Sequence, residues 1–353
     1  MSSLNQQCAD RIDKDSERLA KTIAERHCRL NPLLEARDGE AGREKCLQDT
    51  KYQLAYLVEA IRSDSPILFN DYVHWAVTLL KGLNTPEEDL QDQLRIIGDV
   101  LRETLPQDEA VLAGSFIDES LATFGGFKAI SSFISEDGPR GTLAREYLDL
   151  LLAGRRREAG QLVLQAAESG VPIPEIYIHI FQASQREVGR LWQTGAISVG
   201  QEHFCTAATQ MVMSQLYPYI FNTARCGRAL VATCVSGETH EIGMRMVTDF
   251  FEMAGWDTYY LGANVPFSSV ISELKAHKAQ VLGISVTISS HIDRARALIN
   301  AVRADTSLDD IKILIGGYPF MIEPDLWRVV GADAFATDAA EAVSAIENSL
   351  PRS

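Results

Sequence analysis

The chain has 353 residues, 46% of them apolar, and carries 48 acidic against 33 basic side chains for a formal net charge of −15. That length predicts about two or three domains with cores of their own, and the composition is that of an ordinary globular protein rather than a disordered one. No basic stripe appears that would neutralise nucleic-acid phosphates or an anionic membrane surface, which disfavours both as direct partners, and no apolar run approaches the ~20 residues of a membrane span.

The first residues, MSSLNQQCAD, lack the basic and apolar regions of a signal peptide. Six cysteines, at 8, 28, 46, 205, 226 and 234, form no C-x-x-C pair. Reduced thiols in a cytoplasmic protein are the expectation. Residues 1–138 hold 25 acids against 15 Lys and Arg, and up to about residue 130 they read as helices throughout. SPILFNDYVHWAVTLLKGLN opens with Ser65 as N-cap and Pro66 in the first turn. TPEEDLQDQLRIIGDVLRETLP opens with Thr85 and Glu88 at capping-box spacing and stops at Pro106. The Gly-, Pro- and Ser-bearing stretch 131–141 is the best domain boundary.

Four helices are predicted next, over 142–153, 155–169, 173–194 and 199–222, and their short connections favour an antiparallel bundle. Ser198 and Gln201 are placed to form a capping box for the fourth. From residue 228 the pattern changes. ALVATCV, DTYYLG, VLGISV, KILIGG and AFAT are short apolar or β-branched runs separated by helical segments, which predicts βα units around a flavodoxin-like, doubly wound parallel sheet of five strands. The three predicted domains are therefore 1–135, 142–224 and 228–350. Ligands bind such sheets at the carboxyl ends of the strands.

Three features fall at those ends: Glu238-x-His240-x-x-Gly243 after the first strand, Ser285-x-Thr287 after the third, and Gly316-Gly317 after the fourth. In this order and spacing they resemble the cobalamin-binding domain of methionine synthase, corrinoid methyl-transfer proteins and B12 photoreceptors. The resemblance covers residues 228–350. It implies that His240 is the lower axial ligand of cobalt and that Glu238 accepts the other ring N–H. It further implies that Gly243 lets the following helix start close to the ligand, that Ser285 and Thr287 hold the nucleotide tail, and that Gly316 and Gly317 leave that tail room. A neutral imidazole nitrogen suits cobalt, and a carboxylate partner raises its basicity. The family's enzymes usually carry Asp where Glu238 stands; Glu keeps the role with a longer reach.

In the bundle, Trp192 is followed after nine residues by Glu202 and His203. This spacing is similar to the light-sensing cap of CarH-type adenosylcobalamin photoreceptors, which implies that Trp192, Glu202 and His203 line the upper face of the corrin. Those receptors carry a histidine after the tryptophan where this chain has Gln193. That puts a second imidazole from this position in doubt and leaves His203 as the candidate on that face. No helix-turn-helix DNA-binding domain precedes the bundle. The N-terminal helices are similar, more loosely, to the globin-like domain of photocobilins, which implies a bilin such as biliverdin near Tyr72, His74 and Trp75, with His74 as a buried contact. His27, His179, His277 and His291 are read as surface or packing residues.

These resemblances imply a B12-dependent photoreceptor, not an enzyme, in which light breaks the cobalt–carbon bond of adenosylcobalamin and the cap rearranges, passing the signal through a protein partner or a homo-oligomer. Two alternatives stand beside it: a corrinoid protein that shuttles methyl groups between partner methyltransferases, and a light-independent cobalamin sensor or carrier.

Overall fold

The helical periodicity of the first third is realised as a helical unit. In the computed structural model, which describes residues 3–126, 130–135, 137–138 and 140–350, its helices are α1 (Leu4–Lys14), α2 (Ser16–Leu30), α3 (Pro32–Arg62), α4 (Pro66–Gly82), α5 (Glu87–Thr104) and α6 (Gln107–Ala122). Leu19 and Ile23 of α2, Leu54, Leu57 and Ile61 of α3, Phe69 of α4 and Leu94 and Leu101 of α5 are buried. Their three- and four-residue spacing puts one apolar stripe of each helix inward. Each such side chain contributes about 1.5–3 kcal/mol when fully buried.

The expected capping box at Thr85 does not form. Pro86 takes the N-cap position with extended backbone (φ −57, ψ 134) and α5 starts at Glu87, so Thr85 lies one residue too early. Glu87, Glu88 and Asp89 occupy the first turn instead, where the helix dipole favours negative charge. Ser65 stands at the N-cap of α4, but its side chain makes no capping hydrogen bond.

The chain divides into two compact units, Met1–Ala129 and Ile130–Ser353. The second combines what the sequence separates into a bundle and a sheet domain. The bundle is α7 (Gly141–Leu152), α8 (Arg156–Glu168), a third helix in several pieces, α11 (Val199–Gln215) and α12 (Tyr217–Ile220). Its third helix is not the single α-helix predicted over 173–194. It runs as α9 (Ile173–Glu175), a π-helical segment Ile176–Gln182, and α10 (Ala183–Gln193). Long-range contacts hold the wider turn: the Tyr177 hydroxyl donates to Asp249 Oδ2 at 2.8 Å, and the Tyr177 and Phe250 rings meet edge to face at 6.0 Å. The fourth helix breaks at Leu216 because Pro218 follows in the first turn of α12 and cannot donate into the ladder.

The sheet consists of β1 (Ala229–Cys234), β2 (Asp257–Tyr260), β3 (Val281–Ser285), β4 (Lys312–Gly316) and β5 (Ala334–Ala336), all parallel, in the order β2-β1-β3-β4-β5. This is the doubly wound, flavodoxin-like order the sequence predicts, with its switch point between β1 and β3. Its helices are α13 (Ile242–Met253), α14 (Phe267–Ala276), α15 (Ile292–Arg303), α16 (Tyr318–Ile322), α17 (Leu326–Val329) and α18 (Ala339–Ser349). α13 packs on α18, and α14 packs on α15. Every residue of β1 and β3 is buried, which is why both read as unbroken apolar runs. Ile242, Met246 and Phe250 of α13 and Ala339 of α18 share one core with Tyr147, Tyr177, Phe181 and Val212 of the bundle. Among the described residues no helix is long and apolar enough to cross a membrane.

Candidate cofactor site

The loop from β1 to α13 is fastened before it reaches its histidine. Val235 N–H donates to the Ser285 carbonyl at 3.2 Å, carrying the β1–β3 pairing one residue past the strand. Gly237 N–H donates to Asn264 Oδ1 at 2.6 Å, and the Arg294 guanidinium donates to the Ser236 carbonyl. Gly237 has φ +77, and a Cβ there would lie 2.1 Å from Arg294 Nη1. Glycine suits the left-handed turn, and the guanidinium end of Arg294 fills the space beside it.

Glu238 follows and is completely buried. Its Oε1 accepts from Thr239 N–H at 3.0 Å, His240 N–H at 3.1 Å and His240 Nδ1 at 2.5 Å. Its Oε2 accepts from the backbone amides of Thr287 at 2.8 Å and Ile288 at 3.2 Å, on the loop after β3. Burial pushes the carboxyl pKa up, but the hydrogen bond from His240, the nearby His291 ring, the His240 charge and the Thr287 amide outweigh it, and the pKa falls well below the usual carboxylate range. Glu238 is therefore an ionised acceptor that joins the β1 and β3 loops.

His240 is the exposed end of this arrangement, its side chain 57% accessible against 0% for Glu238. The carboxylate can only accept, so the Nδ1 nitrogen facing it carries a hydrogen and Nε2 is the nitrogen left for a ligand. The hydrogen bond to Glu238 raises the His240 pKa; burial opposes it, and the charges of Glu238 and Glu202 add to it. Gly243 lies in the first turn of α13, and a Cβ added there would meet nothing within 4 Å, so the helix start is open. Cys234, Ser285 and Gly316 stand side by side in register at the carboxyl ends of β1, β3 and β4. Ser285 is buried beside Cys234, whose thiol pKa burial pushes up to about 12. Thr287 engages the site through its backbone amide. Gly317 has a local reason to be glycine: with φ +117, its Cβ would fall 1.8 Å from the Val286 carbonyl oxygen.

The helical face of the site comes from α10 and α11. Ser198 and Gln201 form the predicted capping box, each side chain bonding the other's backbone amide. It sets Glu202 and His203 in the first turn of α11, where the Glu202 carboxylate pairs with His203 Nδ1. Thr206 Oγ1 lies 3.0 Å from Glu202 Oε1 and 3.2 Å from Gln185 Oε1, and Gln185 Nε2 donates to Thr209 Oγ1 at 2.9 Å, which meets the Tyr147 hydroxyl at 3.0 Å. A polar chain thus runs from Glu202 into the bundle core. Glu202 stands within electrostatic reach of His240. His203 remains largely exposed. Trp192 is half-buried in the last turn of α10, and Gln193 beside it is buried.

Two sequence expectations are corrected. His74 is exposed rather than buried; it neighbours buried Tyr72 and Val73 but projects from another part of the α4 circumference. His291, read as a surface or packing residue, lies in the site: its side chain is 13% exposed and its Nδ1 is 3.6 Å from Glu238 Oε2. No local signal marks it, because 52 residues separate it from Glu238.

Among the described residues no three His, Cys, Asp or Glu side chains converge to hold a metal ion. The donor set is one outward imidazole with a buried carboxylate behind it, which fits a metal that brings its remaining ligands in a macrocycle. Comparison with known proteins agrees. Residues 143–217 and 228–347 each match a family model described as a B12 binding domain. Dimethylamine corrinoid protein 1 of Methanosarcina acetivorans is 26% identical over 212 residues, 57% of this chain and 97% of that protein. Trimethylamine corrinoid protein 1 of Methanosarcina mazei is 23% identical over 204 residues, 54% of this chain and 89% of that protein. The structure of the Methanosarcina barkeri monomethylamine corrinoid protein superposes with a TM-score of 0.53 at 23% identity, covering 60% of this chain and all of that one. The bundle and the sheet, residues 143–217 and 228–347, thus form a cobalamin-binding module.

Proposed function

We propose that this chain is a corrinoid carrier: the bundle and the carboxyl edge of the sheet hold cobalamin between them, and separate protein partners load and remove its alkyl group. The observation that carries this reading is His240, exposed at the β1–β3 switch point and backed by the fully buried Glu238. When bound, cobalamin supplies a cobalt centre that accepts and gives up a one-carbon group. His240 would hold cobalt through Nε2, and Glu238 would fix the tautomer that exposes this nitrogen. Ser285 and Thr287 would hydrogen-bond the nucleotide tail beside Gly316 and Gly317, and the open start of α13 at Gly243 would admit the ring. Trp192, Glu202 and His203 would cover the opposite face. The named relatives, all corrinoid proteins of methylamines, support the carrier.

A second reading, a light sensor with adenosylcobalamin as its native cofactor, is favoured by one observation: the Ser198 capping box sets Glu202 within electrostatic reach of His240. In that reading the N-terminal unit relays the signal or holds a bilin. One experiment separates the readings. The protein is loaded in the dark with methylcobalamin or adenosylcobalamin, and its spectrum and elution volume are recorded before and after green light, with and without biliverdin. A carrier retains methylcobalamin with a histidine-ligated spectrum that His240→Ala abolishes, and its elution volume ignores light. A light-driven change of elution volume with adenosylcobalamin overturns the carrier in favour of the sensor. Retention of neither cobalamin overturns both.

A further inference from the structure

We propose that Glu187 is a positioning residue for the cap: together with a strap formed by residues 132–134, it fixes the roll of α10 about its own axis, and so fixes which side chains of that helix face the cofactor. This rests on the reading of α10 and α11 as the cover over the cofactor.

The second unit begins at Ile130, ahead of its first helix, and its opening residues are fastened to the bundle. Ile134 is buried in one core cluster with Tyr147 of α7 and Val188 of α10. Its N–H donates to Ser132 Oγ at 3.2 Å, which closes a short turn. Between them, Phe133 N–H donates to Glu187 Oε2 at 2.9 Å. On its own helix Glu187 accepts from Arg190 Nε at 3.0 Å and from Arg190 Nη2 at 2.6 Å. The Glu187 side chain is 2% accessible. Burial pushes its carboxyl pKa up, but the Arg190 and Phe133 hydrogen bonds and the Arg190 charge outweigh that and leave it lowered. Glu187 is thus an ionised acceptor that ties the strap to α10.

The strap grips the back of the cap helix. Gln185 and Trp192 are seven positions apart, two turns, and share one face of α10. Glu187 lies roughly 200° round the helix from Gln185, with Arg190 one turn on. The front face leads to the other cap helix, because Gln185 meets Thr206, which meets Glu202. A second tie lies before the π-helical segment, where Arg140 Nε donates to Glu175 Oε2 at 3.0 Å. That pair is exposed and adds little, so the buried end does the fixing. A buried ion pair is a poor source of stability, since desolvation offsets its attraction, but it holds its partners in one geometry. An apolar side chain at 187 would keep the burial and let the helix roll under the strap.

The test uses the full chain labelled with 5-fluorotryptophan, the Trp192 signal being assigned with Trp192→Phe. The variants are Glu187→Leu, Glu187→Gln, which keeps an acceptor for Phe133 N–H, and Ile134→Ala, which loosens the strap without touching α10. Val163→Ala, in α8 of the same core, is the control that loses stability away from the strap. Fluorine NMR of the cofactor-free protein reads the surroundings of Trp192. Titration in the dark with methylcobalamin and with adenosylcobalamin reads the ratio of the two affinities, which depends on how the cap meets the upper ligand. We expect the Trp192 signal to move in Glu187→Leu and Ile134→Ala, to return towards wild type in Glu187→Gln, and to stay in place in Val163→Ala. The affinity ratio should change about threefold or more in the first two, the size of other indirect couplings. A Trp192 signal that matches wild type in both Glu187→Leu and Ile134→Ala overturns the proposal, as does one that moves equally far in Val163→Ala. If Glu187→Leu does not fold, the contrast between Ile134→Ala and Val163→Ala decides. Failure of the wild type to bind either cobalamin overturns the cover reading alone, and the fluorine signal of the cofactor-free protein still decides the role of Glu187.

Discussion

The cobalamin-binding module contains the same chemical pair twice, a glutamate carboxylate against a histidine Nδ1: Glu238 with His240 on the sheet edge, and Glu202 with His203 on the cap. Their surroundings differ. The Glu238 carboxylate is wholly buried and takes four backbone amides besides the imidazole. The Glu202 side chain is 27% exposed, and its further hydrogen bond comes from the Thr206 hydroxyl. Buried and saturated with donors, the first pair is a fixed element of structure whose ring direction is built in. Solvated and held by a shared hydroxyl, the second can change partners at little cost. Under the proposed function, the contrast suits a base that keeps an axial ligand in place and a cap that adapts to what sits above it.

The contrast can be broken most severely at its buried end. Glu238→Ala strands the amides of Thr239, His240, Thr287 and Ile288 and unties the two loops; the expected loss is about 3–5 kcal/mol in a urea melt, the size of breaking a buried ion pair. Glu238→Gln keeps the shape and loses the charge, and is expected to weaken cobalamin binding about 10–100-fold in a spectrophotometric titration.

Another buried carboxylate, Asp249, sharpens the point with the opposite sign. Burial pushes its pKa up to about 6, against the Tyr177 hydrogen bond and the Arg245 charge. A raised folded-state value means that the folded protein keeps a proton the unfolded chain has given up. This contribution is present below the unfolded value and is lost as pH rises through about 6. Glu238, with its lowered pKa, contributes stability above the unfolded value that is lost as pH falls through its folded one. Asp249→Asn keeps an acceptor for Tyr177 and should raise stability at pH 7.5 by roughly 1–3 kcal/mol while flattening the profile between pH 4 and 6. Urea melts across that range check it. The smallest effect is expected at the cap: Glu202→Gln should change stability by less than about 1 kcal/mol and shift the His240 pKa downward, read by imidazole NMR.

Much of this site is legible in one sequence because its parts are local. The strands are short apolar runs, and the two members of the Glu238–His240 pair, like those of the Ser198–Gln201 box, stand two or three positions apart. Spacing therefore carries their geometry. What was not legible depends on chain segments that meet only in the fold. His291 reaches Glu238 from the loop after β3. The π-helical segment is held by Asp249 and Phe250, from the sheet side of the shared core. Thr85 matches a capping motif, yet Pro86 takes the cap because its ring already holds the required backbone angle. Gly317 looks like room for a ligand in the sequence, and in the fold it also answers to the Val286 carbonyl.

The π-helical segment Ile176–Gln182 also bears on how this chain tolerates insertions and deletions. A wide turn absorbs about one residue more than an α-turn. Each residue of an α-helix advances the face by about 100°. Deleting one residue as the segment relaxes to an α-helix would keep the phase, whereas relaxing it at full length would rotate everything downstream by roughly that angle against Tyr177. Gln185, Trp192 and Gln193 would then swing together to a different side of the bundle. The spacing between the anchor at Tyr177 and the exposed end of α10 is thus a phase as well as a length, and a homologue one residue shorter here could present the same set of side chains from an unbroken α-helix.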